Sequence, residues 1–225
     1  MFIPRLTAPK KDNIFYYSNK NIFFKCGYGM PNCTAYSHGR FMEITGMDSG
    51  CRGNAGGWIE EAKKKGKFRI SATPELGAII VWKNPNTKDG GHVGSVEEIK
   101  PNSDIVCSNS AYKGTNFYTQ TYSGGKNYKW KSNLTGKVYE FQGFILPPMK
   151  LLEKERWVEI TAGIQFRKDA HSTKRADRIG TIKKGEKFYC NGNYEIVAKK
   201  KWVQGTYNGI EGWICALHIK DIANE

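Results

Sequence analysis

The stretch "GYGMPNCTAYSHGRF", Gly27 to Phe41, sets a proline, an asparagine and a cysteine directly ahead of a helical pattern. Pro31 ends whatever precedes it, and Asn32 is suited to cap a helix through its side-chain oxygen. Cys33, Tyr36, Phe41 and Ile44 then share one broad face of the helix that follows. A thiol in the first helical turn feels the partial positive charge of unpaired backbone N–H groups. That field favours the thiolate and lowers a cysteine pKa from about 8.5 into the range of roughly 3.5 to 7.5. Cys33 is therefore either a nucleophile or a small buried thiol, and the rest of the chain has to decide between them.

Working outward, residues 14 to 26, "IFYYSNKNIFFKC", read as an irregular aromatic segment packed on a core. A second helix is predicted in "NAGGWIEEAKKKG", with Asn54 as cap, Ala55, Trp58, Ile59 and Ala62 on one face, and Gly66 as terminator. Five short β-branched or aromatic runs follow, at 77–82, 92–99, 104–109, 115–122 and 137–146, separated by Gly, Pro, Asn and Asp. Helices followed by an antiparallel sheet make an α+β domain over residues 1–146. "PPMKLLEKER", residues 147–156, reads as a linker, and 157–225 as an all-β segment with a hairpin turning at Asn208-Gly209. A small barrel is the expected form of that last segment.

With 225 residues, 39% of them hydrophobic, the chain has room for two modest cores. Its net charge of +14 is spread over both parts, +10 in residues 1–150 and +4 in 151–225, so neither part is a charged tail. Such a surface attracts polyanions: nucleic acid, anionic membranes or acidic polymers of a bacterial wall. Six cysteines at irregular spacing, with no CxxC pair, exclude a zinc ribbon or finger, are too sparse for a disulfide scaffold, and read mostly as reduced and buried. The opening "MFIPRLTAPKKDN" has no apolar signal-peptide core, and no run approaches the roughly 18 apolar residues that span a bilayer. A soluble chain made in the cytoplasm without a signal peptide is expected.

If Cys33 is a nucleophile, it needs a base and a group to orient that base. Of the four histidines, His38 points away from Cys33 on the same helix, and His171 and His218 fall in the last segment. His92 remains, opening a strand after "KDGG", whose glycines let the backbone approach a helix closely. The next strand offers Asn109 to accept the imidazole N–H, with Asp104 and Glu97 as weaker candidates. The Cys33 backbone N–H, assisted by the Asn32 side chain, is placed to stabilise an oxyanion.

"PNCTAYSHGRF", "ELGAIIVWKN" and "GHVGSVEEI", in that order, resemble the CHAP domain, the cysteine, histidine-dependent amidohydrolase/peptidase fold of the papain-like peptidases. "IQFRKD", "IGTIKKGEKF", "WVQGTYNGIEGWI" and "LHIKDI" resemble a bacterial Src-homology-3-like wall-binding domain. The resemblance implies a phage endolysin for a Gram-positive host: Cys33 as nucleophile, His92 as base, Asn109 as third member, and hydrolysis of a peptidoglycan amide bond. Whether the bond is the sugar-peptide amide or a peptide bond stays open. It further implies no cofactor and a monomer that binds peptidoglycan and anionic wall polymers rather than nucleic acid or membrane. Such an enzyme is stored in the cytoplasm of the infected bacterium and acts on the wall after release. Some relatives carry an acidic calcium loop before the nucleophile; "KCGYGMPN" has no carboxylate, so no metal is expected there. Trp82 ends an apolar strand and reads as core, with a cleft wall as the alternative the resemblance adds. Trp202 and Trp213 either pack the interior of the last segment or line a peptide groove. Lys199, Lys200 and Lys201 read as a solvated turn. The competing function is a non-catalytic wall-binding protein that keeps the fold.

Overall fold

The first aromatic segment folds as two one-turn helices, α1 (Ile14–Tyr17) and α2 (Ile22–Lys25), rather than as irregular chain. Asn13 and Asn21 cap them, each accepting an amide of the first turn on its side-chain oxygen. The structure, a computed structural model, describes residues 2–86, 90–132, 136–172 and 174–222; Lys88 and Asp89 of "KDGG" lie outside the described residues. Helix α3 (Cys33–Thr45) starts where the sequence places it. The Asn32 oxygen accepts the Thr34 amide, and Gly46, in the left-handed conformation, ends the helix.

Helix α4 (Trp58–Lys65) is shorter than expected. Its first turn, Ala55–Gly57, is a 3-10 turn, and the Asn54 side chain makes no capping bond. Close packing accounts for the difference. A Cβ on Gly56 would lie 2.5 Å from the Gly90 carbonyl, and one on Gly91 only 2.2 Å from the Gly56 nitrogen. Glycine on both sides lets this turn sit directly on the chain that leads to His92.

The chain divides into two compact units, Ile3–Ile99 with Asp104–Leu151, and Leu152–Glu225 with Met1–Phe2 and Lys100–Ser103. In the first, the helices accompany an antiparallel sheet of seven strands: β1 (Ile70–Ser71), β2 (Ile79–Lys83), β3 (Gly91–Ile99), β4 (Ile105–Asn109), β5 (Tyr118–Tyr122), β6 (Trp130–Lys131) and β7 (Val138–Ile145). The order is β1-β7-β2-β3-β4-β5, with β6 added to β7. Trp58, Ile79, Val81, Val93 and Phe41 pack one continuous core, and Cys33 belongs to it. The three strands at its centre are nearly continuously apolar or buried, as expected for strands covered on both faces.

The second unit is an antiparallel sheet of β8 (Arg156–Ile160), β9 (Ile164–Arg167), β10 (Arg178–Ile182), β11 (Lys187–Val197), β12 (Lys200–Tyr207), β13 (Ile210–Cys215) and β14 (Ile219–Asp221). Its order, β10-β9-β13-β12-β11-β8-β14, corrects the expected barrel: this sheet is open. Closure needs the two end strands to share a hydrogen-bond ladder. Among the described residues β10 pairs with β9 and β14 with β8, and no ladder joins them. The alternating pattern that suggested a barrel fixes which face is buried but carries no information on closure. Charged residues on the end strands, Arg178, Lys220 and Asp221, blunt the open edges.

One detail of side-chain placement differs from expectation, while the cysteines follow expectation. Lys201 is buried and paired with Glu153, while its neighbours Lys199 and Lys200 are exposed. All six cysteines are free thiols; Cys33, Cys51, Cys107 and Cys190 are buried, Cys215 is half-buried, and Cys26 is exposed. Among the described residues no helix is long and apolar enough to cross a membrane.

Candidate active site

Three elements of the first unit bring the predicted residues together. Helix α3 opens with Cys33, β3 carries His92 as its second residue, and β4 ends on Asn109. The Cys33 thiol meets the backbone N–H of Val93, the residue after His92. His92 is buried, and its Nε2 lies 3.1 Å from Asn109 Oδ1. The Asn109 amide is fixed from its other end, where Nδ2 donates to the Cys107 carbonyl at 2.9 Å. The Tyr122 hydroxyl also donates to Asn109 Oδ1, at 3.5 Å. An oxygen therefore faces the imidazole, and an oxygen accepts only, so the proton sits on Nε2 and Nδ1 carries the lone pair.

Gly94 makes this approach possible. A Cβ there would lie 2.4 Å from Asn109 Oδ1, well inside contact distance. Aromatic rings enclose the imidazole: Trp130 at 5.1 Å, Trp82 at 5.7 Å and Tyr118 at 6.5 Å between centroids. The Tyr118 hydroxyl is 3.3 Å from Nε2 and covers the bond to Asn109. Gly94 falls inside the quoted "GHVGSVEEI", but its role there depends on Asn109 of another strand; Trp82 is paired with His92 across β2 and β3.

The electrostatics of the pair depart from the helix-terminus expectation. Burial pushes the Cys33 thiol up to about 11, against the backbone N–H groups of Val93, Thr34 and Cys33 that pull it down. Burial also lowers His92 to about 4, against the hydrogen bond it donates to Asn109, which raises it. Desolvation outweighs the helix field, so the Cys33 thiol and the His92 imidazole both rest neutral. A cleft of about 560 Å³ opens at this point, lined by Asn32, Cys33 and Thr34 on one side and by Gly90 and Gly91 on the other. Tyr28 and Tyr112, both exposed, also line it.

The remaining candidates take other places. Asn32 caps α3, and its Nδ2 donates to the Tyr28 carbonyl at 3.0 Å. Trp82 is fully buried behind His92 and donates its indole N–H to the Tyr128 carbonyl at 2.8 Å. Asp104 accepts the Gly124 amide, and Glu97 is turned to a separate buried cluster. His38 is buried against the Ser49 hydroxyl at 2.8 Å. Trp202 and Trp213 lie on neighbouring strands of the second unit. They are half-buried, on the face opposite the fully buried Val203 and Ile214, and close to one another because Trp202 pairs with Cys215 and Trp213 with Gln204. They are not interior residues. Among the described residues there is no group of three or more His, Cys, Asp or Glu arranged to hold a metal ion.

Residues 24–111 match the family model of the CHAP domain, a span that contains Cys33, His92 and Asn109. A curated relative, the probable autolysin LDP of Staphylococcus aureus, is 38% identical over 91 residues. That match covers 40% of this chain and spans 30% of the autolysin's length. Among solved structures, an N-acetylmuramoyl-L-alanine amidase from Staphylococcus aureus is similar at 24% identity and a TM-score of 0.36, over 52% of this chain and 32% of that one. The structure of Ly7917 with the hydrolyzing product of MDP is similar at 16% identity and a TM-score of 0.36, over 86% of this chain and 90% of that one. The likeness is thus to a CHAP domain over residues 24–111, and the chain spans about a third of the length of the curated relative it matches.

Replacing Gly94 by Ala is expected to push the Asn109 amide off the imidazole and release the Nε2–H tautomer. Nitrogen NMR of the histidine ring checks this: the wild-type chain shows His92 protonated on Nε2, and the variant shows a mixture of tautomers.

Proposed function

We propose that this chain is a cysteine-dependent peptidoglycan hydrolase that cleaves an amide bond of the Gram-positive wall. The single observation that carries the reading is the His92–Asn109 bond, whose locked amide leaves Nδ1 as a base on the residue adjoining the Val93 amide against which the Cys33 thiol lies. The match to the CHAP domain and to a probable autolysin supports the substrate class.

In this reading Cys33 Sγ attacks the amide carbonyl carbon while its proton passes to His92 Nδ1. Because both groups rest neutral, proton transfer accompanies attack rather than preceding it. The carbonyl oxygen becomes an oxyanion at the start of α3, stabilised by the Cys33 N–H and the positive end of the helix. Collapse of the intermediate breaks the C–N bond, and His92 gives its proton to the departing amine. A thioester is left. Water, deprotonated by Nδ1, attacks that thioester, and the acyl group leaves as a carboxylic acid while the thiol is restored. Asn109 holds the ring throughout and keeps the Nε2 proton in place. No step calls for a cofactor. The enzyme works as a monomer, made in a phage-infected cell and acting on the wall once released.

The second unit supplies wall affinity through the Trp202 and Trp213 face, with the chain's positive charge adding attraction to anionic wall polymers. The bond cut is either the N-acetylmuramoyl-L-alanine amide or a peptide bond. Mass spectrometry of the released fragments separates the two by whether the new amino terminus belongs to L-alanine or to a residue further along the stem or bridge.

Three outcomes test this function. Cys33→Ala abolishes clearing of purified Gram-positive walls in a turbidity assay while the chain still sediments with them; unchanged clearing refutes the mechanism, and a wild-type chain that binds without clearing is a passive wall-binding protein. The acidic limb of kcat/KM reports the free base. With His92 lowered to about 4, activity is retained below pH 6.5 and falls as pH drops through about 4, because protonation there fills Nδ1. Trp202→Ala with Trp213→Ala weakens wall sedimentation by about tenfold, the loss of roughly 1.4 kcal/mol of binding, and leaves turnover of soluble muropeptides unchanged.

A further inference from the structure

Glu97 is fully buried in β3, five residues after His92, and no step above uses it. Its carboxylate gathers donors from three other segments. Arg40 of α3 reaches it with two nitrogens, Nε to Oε1 at 2.9 Å and a terminal nitrogen to Oε2 at 2.8 Å. Ser108, the residue before Asn109 in β4, donates its hydroxyl to Oε1 at 2.6 Å. The Arg5 amide donates to Oε2 at 2.8 Å. Arg40 is itself held in place, donating to Glu43 at 2.8 Å and to the Ile3 carbonyl at 2.7 Å.

The spacing of these contacts relates them to the reacting atoms. Arg40 follows Cys33 by seven residues, two turns, and so shares its face of α3 about 10 Å further along. Glu97 follows Val93 by four residues on β3, and the Val93 amide is the one the Cys33 thiol meets. Helix and strand are thus joined at two points. One is the two-pronged Arg40–Glu97 pair, and the other is the sulfur itself. A planar fork from the middle of the helix resists its sliding or turning over the strand, which bears on where the sulfur lies. The Ser108 bond does the same for β4 beside Asn109.

We infer that Glu97 with Arg40 is a positioning pair for the proposed reaction, one carboxylate bonded at once to the helix and to a strand that carry Cys33 and Asn109 while belonging to the strand of His92. This rests on the catalytic reading above. The alternative is a pair that only stabilises the fold, and buried ion pairs replaced by apolar residues of similar volume commonly keep or gain stability. That difference defines the experiment.

The full chain is compared with E97Q, R40K and R40M/E97M. The measurements are kcat and KM on walls, the unfolding midpoint, and the pH dependence of Cys33 alkylation by iodoacetamide followed by peptide mass mapping. E97Q is expected to lower kcat about 100-fold with KM changed less than about threefold, as for a displacement of about 1 Å at the reacting atoms. R40K keeps the charge and loses the fork, and is expected to lower kcat about tenfold with the midpoint little changed. R40M/E97M is expected to regain the wild-type midpoint and keep the loss of kcat. A double variant that regains both, or an R40K chain with wild-type kcat, overturns the inference. Should the wild-type chain release nothing from walls, the hydrolase reading fails by itself. The positioning inference is then read from alkylation: a pH profile shifted in E97Q and R40K supports it, and identical profiles in all variants overturn it.

Discussion

A carboxylate sealed from water has to be neutralised where it stands, and in the first unit that requirement falls on Glu97. Its partners come from helix α3, strand β4 and the opening segment, so the α3–β3 packing is specified by charge and direction as well as by apolar fit. Apolar contacts alone tolerate small slides of a helix on a sheet. A bidentate guanidinium does not, because both hydrogen bonds lose their alignment together. The apolar core then fills around this fixed pairing, with Trp58, Phe41 and the centre of β2 and β3.

The site shows a second use of exclusion from water. Cys33 sits where the helix field should favour a thiolate, yet burial pushes the thiol up to about 11 and lowers His92 to about 4. Separating charge in the resting pair would leave two ions in a poorly solvated place. In the proposed reaction the neutral pair delays that separation until an oxyanion is forming, when the helix N-terminus has a negative charge to stabilise. Asn109, with no charge of its own, fits this arrangement, since it fixes the tautomer without drawing the imidazole toward protonation as a carboxylate would.

Much of the first unit is legible in the sequence because its signals are local. Pro31-Asn32-Cys33 marks a helix start, the five short runs mark strands, and Gly90-Gly91 marks a close approach of backbone to backbone. Elimination among four histidines singles out His92. What cannot be read is whatever depends on distant residues meeting. Nothing in the sequence shows what Arg40 and Gly94 meet until Glu97 and Asn109 are placed opposite them. The barrel expectation failed for a related reason, since alternation within strands does not say whether β10 and β14 meet. The short helices α1 and α2 were hidden by length, each being four residues held by an asparagine cap.

The raised thiol of Cys33 also bears on how the protein ages in air. Peroxide reacts with thiolates, and a buried cysteine that is almost wholly protonated at neutral pH offers very little of one. Cys26, which faces solvent, is the first cysteine an oxidant meets. Among the cysteines, early oxidative damage therefore falls on Cys26, as a sulfenic acid or a disulfide linking two chains, while the Cys33 sulfur stays reduced.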